Sequence, residues 1–279
     1  MSALHGDTEM GEIEIRDMKT LEDYLECVQL QKEVWGFDDP YDVVPVPMLM
    51  IGRRNDGIVM GAYDGSRMIG FVYALPGTFE GKRVQWSHML AVLEEYRNSD
   101  IGYRLKMEQY RVSQEKGYEI IEWTYDPLES RNAHFNLKKL GCTAHEYEVN
   151  IYGITSSPLH GGMPTDRLIA HWQIPPLNKN LPEWDALPEP PSLVTITKRV
   201  DHHLFIEDIR LNAGGELLFM EIPENMQELK QNAREAALLW RMKTRELFLH
   251  YFERGYEAYS FLHWTRTQPS RSFYILKKH

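Results

Sequence analysis

The stretch His88-Met89-Leu90-Ala91-Val92-Leu93-Glu94-Glu95-Tyr96-Arg97-Asn98-Ser99-Asp100-Ile101-Gly102-Tyr103 combines residue types and spacing suited to holding an anion beside a base. An apolar run ends at Val92, a polar turn follows, and a helical pattern opens at Ile101-Gly102. A helix start offers backbone amides without intrahelical acceptors and the positive end of the dipole, which suits a pyrophosphate. Gly102 lets a ligand come close to the backbone, and Arg97 adds a charged donor. His88 lies on the run before the turn. Its ordinary pKa is near the working pH, so it reads either as a general base or as an edge histidine with no role.

Elsewhere the candidates are more scattered. Asp126 follows an apolar run and precedes Pro127, where it would orient an amine or close its own turn. Asp166-Arg167 reads as a surface salt bridge, with a bidentate carboxylate site as the alternative for Arg167. Arg241 and Arg245, one helical turn apart, read as a solvated face or an anion site. His202-His203 lacks metal-ligand spacing, because neighbouring residues of a strand face opposite ways. No Cys/His/carboxylate grouping stands out, so no metal is expected, and neither a nucleophile elbow nor a Walker loop is present.

Val92, Tyr96, Arg97, Ile101 and Gly102 fall without a gap on a pattern that resembles the acyl-CoA loop of GNAT acyltransferases, Arg/Gln-x-x-Gly-x-Gly/Ala after a strand ending in valine. The resemblance runs from Ile13 to about Tyr152. The later Ala133…Leu140-Gly141 resembles that family's second helix motif. The resemblance implies an acyl-CoA co-substrate held by Arg97, Asn98, Ser99, Asp100, Ile101, Gly102 and Tyr103. It also implies a pantetheine arm paired along Leu90, Ala91 and Val92, with the oxyanion donor near Leu90. His88-Met89-Leu90-Ala91-Val92 is similar to the strand that carries a catalytic histidine in aralkylamine N-acetyltransferases. The sequence departs from the pattern at four places, one of them Ser130 where the second motif has its first asparagine. Asp100 replaces the first loop glycine and is expected to cap its own helix, pointing away from the phosphates. Leu137 stands where the family has its tyrosine acid, which leaves Tyr125 either as a substitute acid or as a ring that only packs. Cys142 replaces a phenylalanine. Asn132 and Asn136, four apart on one helix face, would either meet the cofactor arm or face solvent.

These residues need elements to hold them. Ile13 and Ile15 alternate as a short strand, and Thr20 with Asp23 forms a capping-box pattern ahead of a helix over 21–35 that Gly36 stops. Strands are expected over 58–63 and 68–75 around the turn Asp64-Gly65, and over 83–92. A helix over 101–116 ends at Gly117, and strands over 119–125 and 147–152 flank a short helix over 132–140. The predicted class is α/β with a mixed sheet. Residues 1–160 form the GNAT-like domain and 161–192 a proline-rich connector. Residues 193–279 form a second, smaller α/β unit with strands over 217–222, 256–263 and 272–276 and one long helix over 224–254. Glu115-Lys116-Gly117-Tyr118-Glu119 recurs as Glu253-Arg254-Gly255-Tyr256-Glu257, which reads as a partial second copy of the fold.

The 279 residues, 43% hydrophobic and 26% charged, are those of an ordinary globular chain. The net charge of −10 argues against nucleic-acid partners. Two cysteines, a polar and acidic start and no apolar run of about 18 residues point to a cytoplasmic protein without a membrane span. The expected function is transfer of an acyl group, from acetyl-CoA or a larger donor such as succinyl-CoA, directly to a small amine or amino acid. The protein would act as a monomer or homodimer. The competing expectation is an inactive acyl-CoA-binding or interaction protein on the same fold.

Overall fold

The computed structural model describes residues 12–37, 39–97, 99–153, 162–179 and 190–279. The chain forms two compact units, Met1–Ile121 and Glu122–His279. Helices and strands interleave in both, so the class is α/β.

The first unit runs β1 (Ile13–Asp17), α1 (Leu21–Trp35), α2 (Val46–Arg54), β2 (Ile58–Asp64), β3 (Arg67–Phe79), β4 (Lys82–Val92) and α3 (Ile101–Glu115). β1 to β4 pair in sequence order, each antiparallel to the next. The hairpin expected at Asp64-Gly65 joins β2 to β3. Phe71, Val72, Tyr73 and Ala74 of β3 are all buried, because helices cover both faces of this central strand. α2 escapes a sequence reading because Pro45 and Pro47 flank its start, yet proline is tolerated in a helix's first turn.

α1 starts as its capping box requires. The Thr20 hydroxyl accepts from the Asp23 N–H at 3.2 Å, and the Asp23 carboxylate accepts from the Thr20 N–H at 3.0 Å. The same carboxylate takes the Arg16 guanidinium at 3.0 Å and the Tyr63 hydroxyl at 2.8 Å, which ties α1 to β1 and β2. α3 is fastened to β4 by a buried polar network. Lys106 donates to the Ser87 hydroxyl at 2.8 Å, Gln109 donates to Gln85 at 2.9 Å, and Ser113 donates to Gln85 at 2.8 Å.

β5 (Ile120–Tyr125) carries the chain across the boundary. The second unit continues with α4 (Ser130–Ala133), β6 (Thr143–Glu148), β7 (Arg167–Gln173), β8 (Thr195–Val200), β9 (His203–Ile209), β10 (Leu217–Ile222), α5 (Met226–Asn232), α6 (Arg234–Glu253), β11 (Tyr256–Trp264) and β12 (Arg271–Lys278). Its sheet runs in the order β5-β7-β6-β11-β12-β10, while β8 and β9 form a separate hairpin. α6 packs Trp240, Leu247, Phe248 and Tyr251 inward. Its far end and that of α3 close alike: Gly117 and Gly255 take positive φ of 73° and 79°, which accounts for the local sequence echo.

Several elements differ from expectation. β7 lies within the stretch expected as a connector; it is buried on both faces, so it lacks the alternation that marks a half-exposed strand. β8 and β9 were not foreseen. The long helix over 224–254 breaks at Ala233, whose φ of −148° leaves the helical region. The helix expected over 132–140 is a single α turn followed by a π-helix over His134–Lys139.

Asp23 supplies a stability test. Burial opposes its charge, but the Arg16 pair, the Lys19 and Thr20 amides and the Tyr63 hydroxyl prevail and hold its pKa well below the carboxylate range. A depressed pKa stabilises the fold above the unfolded value near 3.8 and loses that stability as pH falls below it. Asp23→Ala should therefore lower stability by at least the ~1 kcal/mol of a lost cap. The gap to wild type in urea melts should hold from pH 7 to 5 and shrink toward pH 3.

Candidate functional site

The site begins with a fault in strand pairing. β4 pairs β3 as Ser87 with Ala74 and Met89 with Tyr73, so His88 has no partner and forms a bulge. The bulge resets the pleat. Ser87 and Leu90 lie opposite Ala74 and Val72, which share a face of β3, although Ser87 and Leu90 are three apart. The His88 ring stands edge-on to Tyr73, with centroids 6.0 Å apart at 82°, and Tyr73 is fixed by its hydroxyl, which donates to Met48 O at 3.2 Å. His88 is exposed, yet the protein around its ring desolvates it and lowers its pKa. The imidazole is thus neutral at neutral pH and able to take a proton.

Past the bulge, Leu90, Ala91 and Val92 continue along β3, and the Leu93 N–H donates to Ile69 O at 2.9 Å. A short turn over Glu94–Tyr96 follows, pinned where the Tyr96 hydroxyl donates to Asp64 at 2.8 Å. The Ser99 hydroxyl donates to Tyr96 O. Arg97 is exposed; its N–H donates to Glu94 O at 3.1 Å, and its guanidinium has no partner among the described residues. Asn98, expected to contact the cofactor, lies outside the described residues.

Asp100 corrects an expectation. It makes no side-chain cap bond to α3; instead its backbone is left-handed, with φ 56° and ψ 8°. The turn into α3 needs a positive φ, the conformation that glycine adopts most easily and that aspartate tolerates better than most residues. Backbone geometry therefore accounts for Asp100 at the position where the GNAT pattern has glycine. Ile101 is buried and anchors the first turn, and the Arg104 N–H bonds to Asp100 O at 2.9 Å. Gly102 sits in that turn without positive φ, and a Cβ there would meet only the Val92 side chain, at 3.9 Å. The fold itself has room for a side chain at 102. Tyr103 follows on the same turn. The helix-start amides, the space above Gly102 and the uncommitted Arg97 together fit a pyrophosphate. A cleft of about 400 Å³ in the same unit, between Arg16, Arg53, Gly57, Arg111 and Lys116, shares no lining residue with this loop.

The remaining predicted site residues belong to the second unit. Asp126 is an ionised carboxylate within a charge cluster. Arg241 donates to it at 2.6 Å, Arg167 lies 3.8 Å away, and the Leu128 N–H donates at 2.9 Å. Burial would raise its pKa, but Arg241 and then Arg167 outweigh burial and lower it, which makes it a poor base. Arg167 is no surface salt bridge: it is 9% exposed, donates to Asp166 O and lies over the Tyr152 ring. Asp166 pairs instead with Arg245, through two bonds of 2.8 Å, so Arg241 and Arg245 are not a solvated face. Tyr125 is buried, and desolvation raises its pKa. Asn132 is exposed while Asn136 is buried and accepts from the Trp123 indole at 3.3 Å, so the π-helix separates the two. His202 and His203 do converge, reaching Glu228 at 3.0 and 3.7 Å, because His202 lies in the turn before β9. The bulge at His88 and the Tyr73 contact left no signal in the sequence.

No known family profile and no curated protein matches the chain. Solved structures similar to it include acetyltransferases of the GNAT family. One, from Streptococcus pneumoniae, is 15% identical over 58% of this chain and 99% of its own, with a TM-score of 0.48. A GNAT acetyltransferase from Desulfovibrio desulfuricans is 16% identical over 58% and 99%, at 0.46. The PaiA N-acetyltransferase from Thermoplasma acidophilum, solved with coenzyme A, is 19% identical over 58% and 98%, at 0.41. Likeness at this level decides no function.

The two loop positions separate fold from ligand. Gly102→Ala should raise the melting temperature of the free protein slightly, since alanine exceeds glycine in a helix by up to ~1 kcal/mol. It should nevertheless weaken CoA binding in calorimetry, because the new methyl fills the approach to the amides. Asp100→Gly should leave stability nearly unchanged and bind CoA at least as tightly as wild type. Tighter binding by Gly102→Ala, or loss of binding by Asp100→Gly, would remove the phosphate from this loop.

Proposed function

We propose that this protein is an acyl-CoA-dependent N-acyltransferase that passes an acyl group directly to a small amine or amino acid. The observation that carries the reading is the sequence of a bulge at His88, the strand Leu90–Val92, the left-handed Asp100 and the open first turn of α3. A bound acyl-CoA would supply a thioester whose carbonyl carbon is open to an amine. The first amides of α3 and Arg97 would hold its pyrophosphate. The edge of β4 over Leu90–Val92 would take amide bonds from an extended arm, with an amide near Leu90 facing the carbonyl oxygen. His88 would take the proton that the attacking ammonium must lose.

Leu137, at the family's tyrosine position, is buried and carries no acid. The thiolate would then be protonated by solvent or by the imidazolium that His88 has become. Acetyl and larger acyl groups such as succinyl both fit this scheme. A second reading, an acyl-CoA-binding protein without turnover, is favoured by that same leucine and by the carboxylate of Asp100 in the loop.

His88→Gln distinguishes the two. It should lower kcat/KM by a factor in the ~10²–10⁴ range of a positioned acid–base group, with CoA affinity unchanged. The neutral ring is the active form, so wild-type rate should rise with pH through a limb below the ordinary histidine value of 6.5 and then level off. The variant should lack that limb in a thiol-release assay run across amines. Full activity with the same limb would return His88 to a structural role. A folded, CoA-binding wild type that releases no thiol with any amine would favour the binding protein.

A further inference from the structure

In the second unit, β6 carries another pairing fault. It pairs β7 as Thr143 with His171 and Glu146 with Ile169, so Ala144 and His145 together oppose Ala170. His171 and Ile169 are two apart and share a face, and Glu146 is on that face with them. In an unbroken strand His145 and Glu146 would point to opposite sides. The bulge turns both toward His171. The Glu146 carboxylate lies 3.4 Å from His171 Nε2 and 3.8 Å from His145 Nε2.

The His171 ring is 6% exposed, and its other nitrogen, Nδ1, lies 3.0 Å from the buried Glu122 carboxylate. A carboxylate there fixes Nδ1–H and leaves Nε2 with its lone pair outward. Nε2 is fully buried, yet it makes no hydrogen bond among the described residues. A buried lone pair without a donor is costly. It points toward a carboxylate and a second imidazole, neither of which donates to it.

We propose that His145, Glu146 and His171 bind a divalent metal ion, with zinc the best match to the donor set and Glu122 orienting His171 from behind. Two imidazoles and one carboxylate form a known zinc ligand set, which leaves a further position to water. The one-atom donors of the three residues lie within 4.8 Å of one another. Donors 2.0–2.1 Å from a tetrahedral ion stand about 3.4 Å apart, so the Glu146–His171 edge already fits. The His145 ring, half exposed and stacked on His171 at 4.2 Å, must turn to bring its nitrogen to the ion. His202, His203 and Glu228 form a similar group, but among the described residues no carboxylate backs a buried ring there.

The test is zinc titration of tag-free, chelator-treated protein against a chromophoric zinc indicator, followed by a thermal melt. Wild type should bind one equivalent per chain with micromolar or tighter affinity and melt at a higher temperature with zinc. His145→Ala, an exposed change that leaves the fold intact, should weaken binding at least tenfold and abolish the thermal shift, as should Glu146→Gln. Glu122→Gln should weaken it by 10–100-fold. His202→Ala should change nothing. Wild type without binding at 100 µM zinc, or binding indifferent to His145→Ala and Glu146→Gln, would overturn the site.

Discussion

β4 must satisfy two neighbours at once. Its first half is held from below, where Gln85 and Ser87 enter the buried network with Lys106, Gln109 and Ser113 of α3. Its second half runs along β3 toward Gly70 and delivers the chain to the start of α3. Both halves need their small and apolar residues on the α3 face, and strict alternation cannot put Ser87 and Leu90 there together. The unpaired His88 absorbs the mismatch at the cost of ladder bonds. The network fixes where α3 lies, the bulge fixes how β4 reaches it, and the turn over Glu94–Tyr96 has only a short gap to span. The ring that the bulge displaces sits against Tyr73, at the residue of β4 left without a register partner on β3.

The loop after β4 shows a similar compromise. A left-handed residue is needed at position 100, and glycine would serve it with least strain. Aspartate is nearly as compatible with that backbone but carries a charge. Net charge across the chain is −10, so attraction for an anionic ligand cannot come from the overall field. Under the proposed function it would come from short-range donors, the α3 amides and Arg97, which act over a few ångströms. Affinity at this loop would then depend on close approach, and the absence of a Cβ at Gly102 would matter more than the sum of surrounding charges.

Features set by local chemistry were legible in the sequence. The Thr20–Asp23 box, the Asp64-Gly65 hairpin, the glycine stops at 36, 117 and 255 and the start of α3 all appear as read, because each follows from a few adjacent residues. Features set by partners were not. β7 has no alternation because both its faces are buried. Asp126, Arg167, Arg241 and Arg245 looked like turn and surface residues, yet they form one buried cluster with Asp166, since charges far apart in sequence are neutralised only once the unit has folded. The capping role expected of Asp100 failed for a different reason: the turn's φ requirement took precedence over the side chain's hydrogen-bonding preference.

Bulges mark the deepest limit of sequence reading here, and both candidate sites sit on one. Alternation assigns neighbouring strand residues to opposite faces, and a bulge is where that rule fails. At β4 one extra residue frees His88 from its expected partner; at β6 the same device brings His145 and Glu146 to one side of His171. The signature of a bulge is a mismatch between two strands, and no single strand contains it. Ser87 must face α3 and Thr143 must share the sheet face of its partner His171, while Leu90 and Glu146, each three residues on, must lie on those same faces. Only when the partner's register is known does the surplus residue become visible, and with it the side chain that the surplus has set free to do chemistry.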